Sequence, residues 1–333
     1  MVFFIISDDL TGASGVASMV DHSTAVTVNL DRFGRSLTEE FGCIVLNLES
    51  REKSGKETSR RLSRALDLVG ESPVGLRIDS ALRGRVRMLV EAVLQRGAVL
   101  ITDTIPDYGR RTQSGKTVIG AQRKDIESLL EPLRRRMKDR GLITVADSET
   151  YNDLDRLART CIEDDLIPVD PGPLIAAVAW TRLGLDARTS GPSGNGASKK
   201  VAFVVGTRDP RTLEQIGHME ALGFPIQKPA VKRSEDVDLF VFSMEKDRGI
   251  ITQPFLEHLA KYDALVLSGG ATANHVLARS GFRYLQNDGQ VQPLVSSGIV
   301  RGGVLGGKRV VLKGGFIGDE KTYKTILDWL RKG

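Results

Sequence analysis

A chain of 333 residues, 41% of them hydrophobic, is long enough for two separate cores, and no apolar run approaches the roughly 20 residues that span a bilayer. A formal charge of +5 is small for this size, and 5% aromatic content is too sparse for a base-stacking surface, so anionic small molecules suit the chain better than nucleic acid. The first apolar run has no basic leader and ends in acids, and Cys43 and Cys161 lack metal-ligand spacing; the expectation is a soluble protein of a reducing cytoplasm.

The chain opens on Phe3-Phe4-Ile5-Ile6, a run of strand character that breaks into Ser7-Asp8-Asp9-Leu10-Thr11-Gly12-Ala13. Acids at the carboxyl end of a first strand lie where an open α/β sheet usually does its chemistry. Two adjacent ionised carboxylates repel, so they call for a cation, a hydroxyl donor or an arginine nearby. The simpler alternative is a capped turn with Asp9 or Thr11 as the helix cap.

Strands are expected over residues 25–30 and 43–48, then a helix over 58–69 with Leu62, Leu66 and Val69 on one face. Residues 74–78 read as a strand ending in Asp79-Ser80, 86–95 as a helix and 98–102 as a strand. A helix starting near Ile126 carries Arg134, Arg135, Arg136, Lys138 and Arg140, a basic run that reads as a solvated face. Residues 142–146 (strand) and 152–164 (helix) follow. A Gly/Ser/Pro-rich segment at 189–198 is the clearest linker, and beyond it the alternation restarts with strands at 201–205, 264–267 and 309–312 and a helix at 212–222. The expected fold is α/β with two domains, each a largely parallel sheet flanked by helices: residues 1–190, a linker at 191–199, and 200–333.

Several strand ends carry chemistry. Arg77-Ile78-Asp79-Ser80-Ala81-Leu82-Arg83-Gly84 repeats the opening design of extended stretch, acid, hydroxyl and turn, and Arg83 can reach a carboxylate or phosphate with its planar fork. The polar loop after residue 102 holds Asp103, Asp107 and Arg110. In the second half three strand ends run into glycine: Gly206-Thr207, Gly269-Gly270-Ala271-Thr272 and Lys313-Gly314-Gly315. Glycine lets the backbone approach a phosphate, and successive N–H groups bind anions, so three such turns favour a nucleotide site.

Three look-alikes fail. The segment from Gly302 to Gly307-Lys308 has Walker A spacing, but Arg309 stands where a Ser or Thr should be and no clear strand precedes it. Ser114-Gly115-Lys116-Thr117 has the right ending with Gly109 one residue too distant. Asp9-Leu10-Thr11-Gly12 imitates a phosphatase motif whose nucleophilic Asp would fall at Ser7. His22, His218, His258 and His275 form no metal or triad spacing.

Taken together, these segments resemble the four-carbon acid sugar kinase family. Ser7-Asp8-Asp9-Leu10-Thr11-Gly12-Ala13 is similar to its Ala-Asp-Asp-Phe-Thr-Gly-Ala opening, and the stretch from Arg77 to Gly84 to its Lys-x-Asp-Ser-Thr-Leu-Arg-Gly. Pro106 with Gly109-Arg110 resembles its Pro-to-Gly-Arg loop. Gly206-Thr207 with Pro210, Thr212 and Gln215 resembles its Gly-Ser-x-x-Pro-x-Thr-x-x-Gln, and the later turns its Gly-Gly-Glu-Thr and Lys-Ser-Gly. The motifs stand in family order over most of the chain. Departures are Thr207 for Ser, Ala271 for Glu, Ala81 for Thr and Phe316 for a small residue or Asn; the chain is also short for the family.

The resemblance implies an acid-sugar-binding first domain and a nucleotide-binding second one, with ATP phosphorylating a terminal hydroxyl of threonate, erythronate or 3-oxotetronate. Catalytic candidates are Asp8 and Asp9, one orienting or deprotonating the hydroxyl and the other near Mg²⁺. Substrate candidates are Asp79, Ser80, Arg83 and Arg110; nucleotide candidates are Gly206, Thr207, Gly269, Gly270, Ala271, Thr272, Lys313, Gly314 and Gly315. Expected partners are a sugar acid and ATP, with a homodimer left open and neither nucleic acid nor membrane involved. A silent metabolite sensor and a dinucleotide-dependent oxidoreductase remain as alternatives, although no Gly-x-Gly-x-x-Gly follows a strand.

Overall fold

Strand alternation sets the layers. In the first strand, Phe3–Ser7, residues Phe4 and Ile6 face one core with Leu46, Leu62, Leu89 and Leu130, while Phe3 and Ile5 face another with Val45, Val16, Leu154 and Ile175. The second half repeats this: Ala202 and Val204 pack with Phe240 and Leu277, whereas Val201, Phe203 and Val205 pack with Ile216, Tyr323 and Ile326. Each large side chain so buried contributes about 1.5–3 kcal/mol. The computed structural model describes residues 2–20, 25–80, 82–138, 141–185, 197–224, 226–227, 236–243 and 248–332. The expected linker falls largely outside these residues, as do His22, Ala81 and Arg140.

Among the described residues one 14-stranded sheet runs through the whole molecule. Its order is Ile226–Gln227, Val237–Val241, Val201–Val205, Ala264–Ser268, Arg309–Lys313, Val295–Arg301, Tyr284–Gln292, Ala25–Asn29, Cys43–Asn47, Phe3–Ser7, Val74–Arg77, Ile167–Asp170, Val99–Ile101 and Ile143–Val145. Within this sheet the first-half strands pair in parallel with one another, and so do the first five in this order. The hairpin Tyr284–Gln292/Val295–Arg301 is antiparallel to both neighbours and joins the two stretches. Each half therefore has the expected parallel sheet with flanking helices, but the two sheets fuse edge to edge.

The fusion is narrow. Among the described residues only Leu285↔Thr27 and Gln286↔Val26 pair across it. Buried side chains add to it: Thr27 Oγ1 donates to Asn287 Oδ1 (2.8 Å), Asn287 Nδ2 donates to Ser14 Oγ (2.7 Å), and the Ser14 and Ser296 hydroxyls lie 2.7 Å apart. The hairpin was not expected, because Gln286, Asn287, Asp288 and Gln290 break the apolar alternation that marks a half-buried strand.

The helix Leu10–Val20 lies over this seam. Its small residues Gly12, Ala13, Ser14, Gly15 and Ala17 are buried, which permits close approach on several sides. Leu10 itself belongs to the second-half core beside Leu267 and Leu312. A strand, Val295–Arg301, does precede Gly302, contrary to the sequence reading, but the chain then turns into strand Arg309–Lys313 and not into a helix. Ser114-Gly115 is a hairpin turn in a separate three-stranded sheet of Arg111–Gln113, Lys116–Ile119 and Gln122–Asp125. No helix among the described residues is long and apolar enough to cross a membrane.

Candidate active site

The carboxyl ends of both parallel stretches open on one cavity of about 610 Å³. From the first half it is lined by Asp8, Asp9, Arg51, Arg77, Asp79, Ser80 and Arg83. From the second half come all three glycine turns, including Gly206, Thr207, Gly269, Gly270, Ala271, Thr272, Gly314 and Gly315. Open α/β sheets bind ligands at such strand ends.

The acidic turn is held by two arginines. Arg51 donates through Nε and Nη2 to Asp8 (both 3.0 Å) and through Nη1 to Asp9 (2.7 Å), and its Nη2 lies 3.2 Å from Asp79. Arg77 Nη1 reaches Asp9 at 3.0 Å and Asp8 at 3.4 Å. Asp9 also caps the helix behind it, accepting from the Gly12 N–H (2.9 Å) and the Thr11 hydroxyl (2.8 Å). The simple cap and the arginine-paired acid thus coexist in one residue.

Electrostatics separates Asp8 from Asp79. Burial, and then the adjacent Asp9, push the Asp8 carboxyl above its ordinary range despite Arg51 and Arg77. Burial also pushes Asp79 upward, but the Arg83 hydrogen bond and the charges of Arg51 and Arg77 outweigh it and hold Asp79 well below the usual range. Burial alone would depress Arg51; Asp9, Asp8 and Asp79 instead raise it, so it stays charged.

Arg83 grips Asp79 in a fork (Nε 2.7 Å, Nη2 3.0 Å), and its half-exposed guanidinium lies 5.3 Å from the centre of the Phe316 ring. This contact crosses between the halves, as does an Asn47–Asn274 side-chain approach of 3.5 Å. Arg110 does not line the cavity. It donates to Asp103 Oδ2 (3.0 Å) and to the Ser80 carbonyl, which supports the Ser80 turn from behind. Burial pushes Asp103 up to about 6.

On the nucleotide side, helix Gly270–Ser280 aims its N-terminus at the cavity after Gly269, whose φ of +100° excludes other residues without strain. A Cβ on Gly270 would lie 3.0 Å from Asp9 Oδ2, so this helix end and the acidic turn are in near contact. The Thr272 hydroxyl is buried and has no hydrogen-bond partner among the described residues. Lys313 differs from expectation: it is fully buried and stands behind its glycine turn, outside the cavity lining.

Sequence reasoning missed Arg51 and gave Arg77 no role. The signal for Arg51 was positional, since it follows the strand Cys43–Asn47 by four residues, at the same end of the sheet as Asp8 and Asp79.

Comparison with known proteins agrees with this geometry. A sugar-binding N-terminal domain profile matches residues 3–129 and a nucleotide-binding C-terminal domain profile matches residues 244–323, together more than half of the chain. A D-erythronate kinase of Heliobacterium modesticaldum is 26% identical over 269 residues, covering 65% of this chain; the match spans only 60% of that longer relative. A solved Salmonella typhimurium LT2 protein, provisionally named a tRNA synthase, superposes with a TM-score of 0.72 at 15% identity over 97% of this chain and 98% of its own. A Haemophilus influenzae protein of the DUF1537 family gives 0.66 at 18% identity over 98% and 100%. At such identities the superpositions speak to fold alone. With both domain profiles in order and the motifs meeting in one cavity, the chain belongs to the four-carbon acid sugar kinase family.

Proposed function

We propose that this chain is an ATP-dependent kinase acting on a terminal hydroxyl of a small sugar acid of about four carbons, such as threonate, erythronate or 3-oxotetronate. Residues 1–190 would form the substrate domain and 200–333 the nucleotide domain. The observation that carries the reading is the shared cavity, in which an arginine-neutralised acid cluster faces three glycine turns. The name of the Heliobacterium relative supports it.

In this reading Arg83 and Arg51 balance the substrate carboxylate, while Asp79 and Ser80 accept from or donate to its hydroxyls. Asp8, with its raised proton affinity, is the base: the hydroxyl oxygen bonds to the γ-phosphorus, the bond to ADP breaks, and the proton passes to Asp8. The helix N-terminus at Gly270, the Thr272 hydroxyl and the backbone around Gly315 hold phosphate oxygens. Mg²⁺ bound with a nucleotide takes most ligands from phosphates and water and needs one or two carboxylates, a need that Asp9 beside Gly270 fits. When bound, the ion would neutralise phosphate charge. Two buried free cysteines support residence in a reducing cytoplasm.

The test is ADP release with ATP and Mg²⁺ against a panel of three- to six-carbon sugar acids, their 3-oxo forms and the matching neutral sugars. Turnover on an acid, absent on its neutral counterpart, is expected. ATP binding with no turnover on any member would point to a sensor and overturn the kinase reading.

A further inference from the structure

Among the described residues the Lys313 ammonium packs within its own half, against a set of oxygens and 5.4 Å from the centre of the Tyr323 ring. It donates to the carbonyls of Gly314 (2.9 Å), Gly315 (3.3 Å) and Ile317 (3.3 Å) and to Thr212 Oγ1 (3.3 Å). Thr212 Oγ1 in turn donates to the Gly315 carbonyl at 2.6 Å, and Gln215 Nε2 donates to the carbonyls of Ile317 (3.0 Å) and Asp319 (2.8 Å). All three side chains are fully buried. They approach the loop from the interior, whereas Gly314, Gly315, Phe316 and Ile317 line the cavity on its other side.

A trans peptide points its C=O and the following N–H in opposite directions, and no cis peptide bond is present among the described residues. Drawing the Gly314 and Gly315 carbonyls inward therefore turns the N–H groups of Gly315 and Phe316 outward. Neither of these donors has an acceptor among the described residues. Two successive outward N–H groups make an anion-binding concavity.

We infer that Thr212, Gln215 and Lys313 are positioning residues that never touch the nucleotide but hold loop 314–319 with its carbonyls buried and its N–H groups presented to a polyphosphate. The inference rests on the nucleotide reading of this cavity and deepens it. Glycine at 315 has a matching reason: a Cβ there would lie 2.8 Å from Thr207 Oγ1 and 3.2 Å from Asp209 Cβ, so the loop packs against the neighbouring turn with no room for a side chain. Burial draws Lys313 down to about 7 while Asp209 opposes it; the surrounding carbonyls favour the ammonium.

The experiment is calorimetric titration of the wild type, Lys313→Met and Thr212→Val with ATP, inorganic tripolyphosphate and adenosine, beside thermal melts. Lys313→Met is expected to weaken ATP and tripolyphosphate by about tenfold or more, with adenosine within about twofold of wild type. Thr212→Val, which removes one hydroxyl from the same set, is expected to weaken both polyphosphates by about threefold. Equal loss for adenosine would mean a general structural role and overturn the inference, as would a folded Lys313→Met with unchanged tripolyphosphate affinity. If Lys313→Met does not fold, Thr212→Val decides, and unchanged tripolyphosphate binding there overturns the inference. A wild type that binds neither ATP nor tripolyphosphate would instead remove the nucleotide reading itself.

Discussion

Gly12 and Arg77 are packed so closely that a Cβ on Gly12 would lie 2.0 Å from Arg77 Nη1. The guanidinium reaches Asp8 and Asp9 across the space a side chain would fill. Gly12→Ala is therefore expected to displace Arg77, lower stability by about 2 kcal/mol and reduce turnover by about 100-fold. Urea midpoints and steady-state rates check this; near-wild-type turnover would show that Arg77 is dispensable.

Arg51 contacts all three carboxylates of the cluster. Its removal leaves Asp8 and Asp79 buried beside fewer cations, so Arg51→Met is expected to cost about 3 kcal/mol in stability and about 100-fold in kcat. Arg51→Lys restores charge but not the fork, and should recover stability more than rate. Equal recovery of both would argue against a geometric role.

Asp8 and Asp9 should separate kinetically. Asp8→Asn is expected to lower kcat by about 10²–10⁴ with ATP affinity intact, as for loss of a base. Asp9→Asn, beside Gly270, should chiefly raise KM for the nucleotide. The reverse pattern would exchange the two roles.

Asp103 gives a pH signature. Burial pushes its carboxyl up to about 6 in the fold, against an ordinary 3.8. The folded state therefore binds more proton than the unfolded chain between these values, and stability falls as pH rises through that window. The contribution is roughly 3 kcal/mol at most. Asp103→Asn should flatten the fall in urea midpoint between about pH 4 and 7; an unchanged slope would assign it to another group.

Asn287 bridges Thr27 and Ser14 in the buried seam. Asn287→Ala leaves the buried Thr27 hydroxyl without its acceptor and takes a donor from Ser14, whose hydroxyl keeps Ser296, and is expected to cost about 3 kcal/mol in a melt. A cost below about 1 kcal/mol would mean that water replaces the amide.

Most parallel strands were legible because they are short apolar runs ending in acids or glycine, and those endings carry the cavity. Asp8, Asp79, Thr207 and Gly270 were visible for that reason. Arg51 was not, because its partners lie about 30–40 residues away in sequence and only the register of Cys43–Asn47 beside Phe3–Ser7 aligns them. Lys313 stands among the nucleotide candidates that the family resemblance implies, and only its burial behind the loop shows that it faces backward. The hairpin escaped notice because its polar face is satisfied by side chains of the first half.

The seam also bears on how the chain assembles. Strand Ala25–Asn29 is made early, yet the partner for one of its sides, Leu285–Gln286, is some 260 residues further on. Until the hairpin arrives, a folded first half would present an unprotected strand edge, the kind of surface that recruits other chains. A fragment ending before residue 284 would keep every acid and arginine of the cluster and still be prone to self-association, so the hairpin acts as an in-chain guard as well as a bridge.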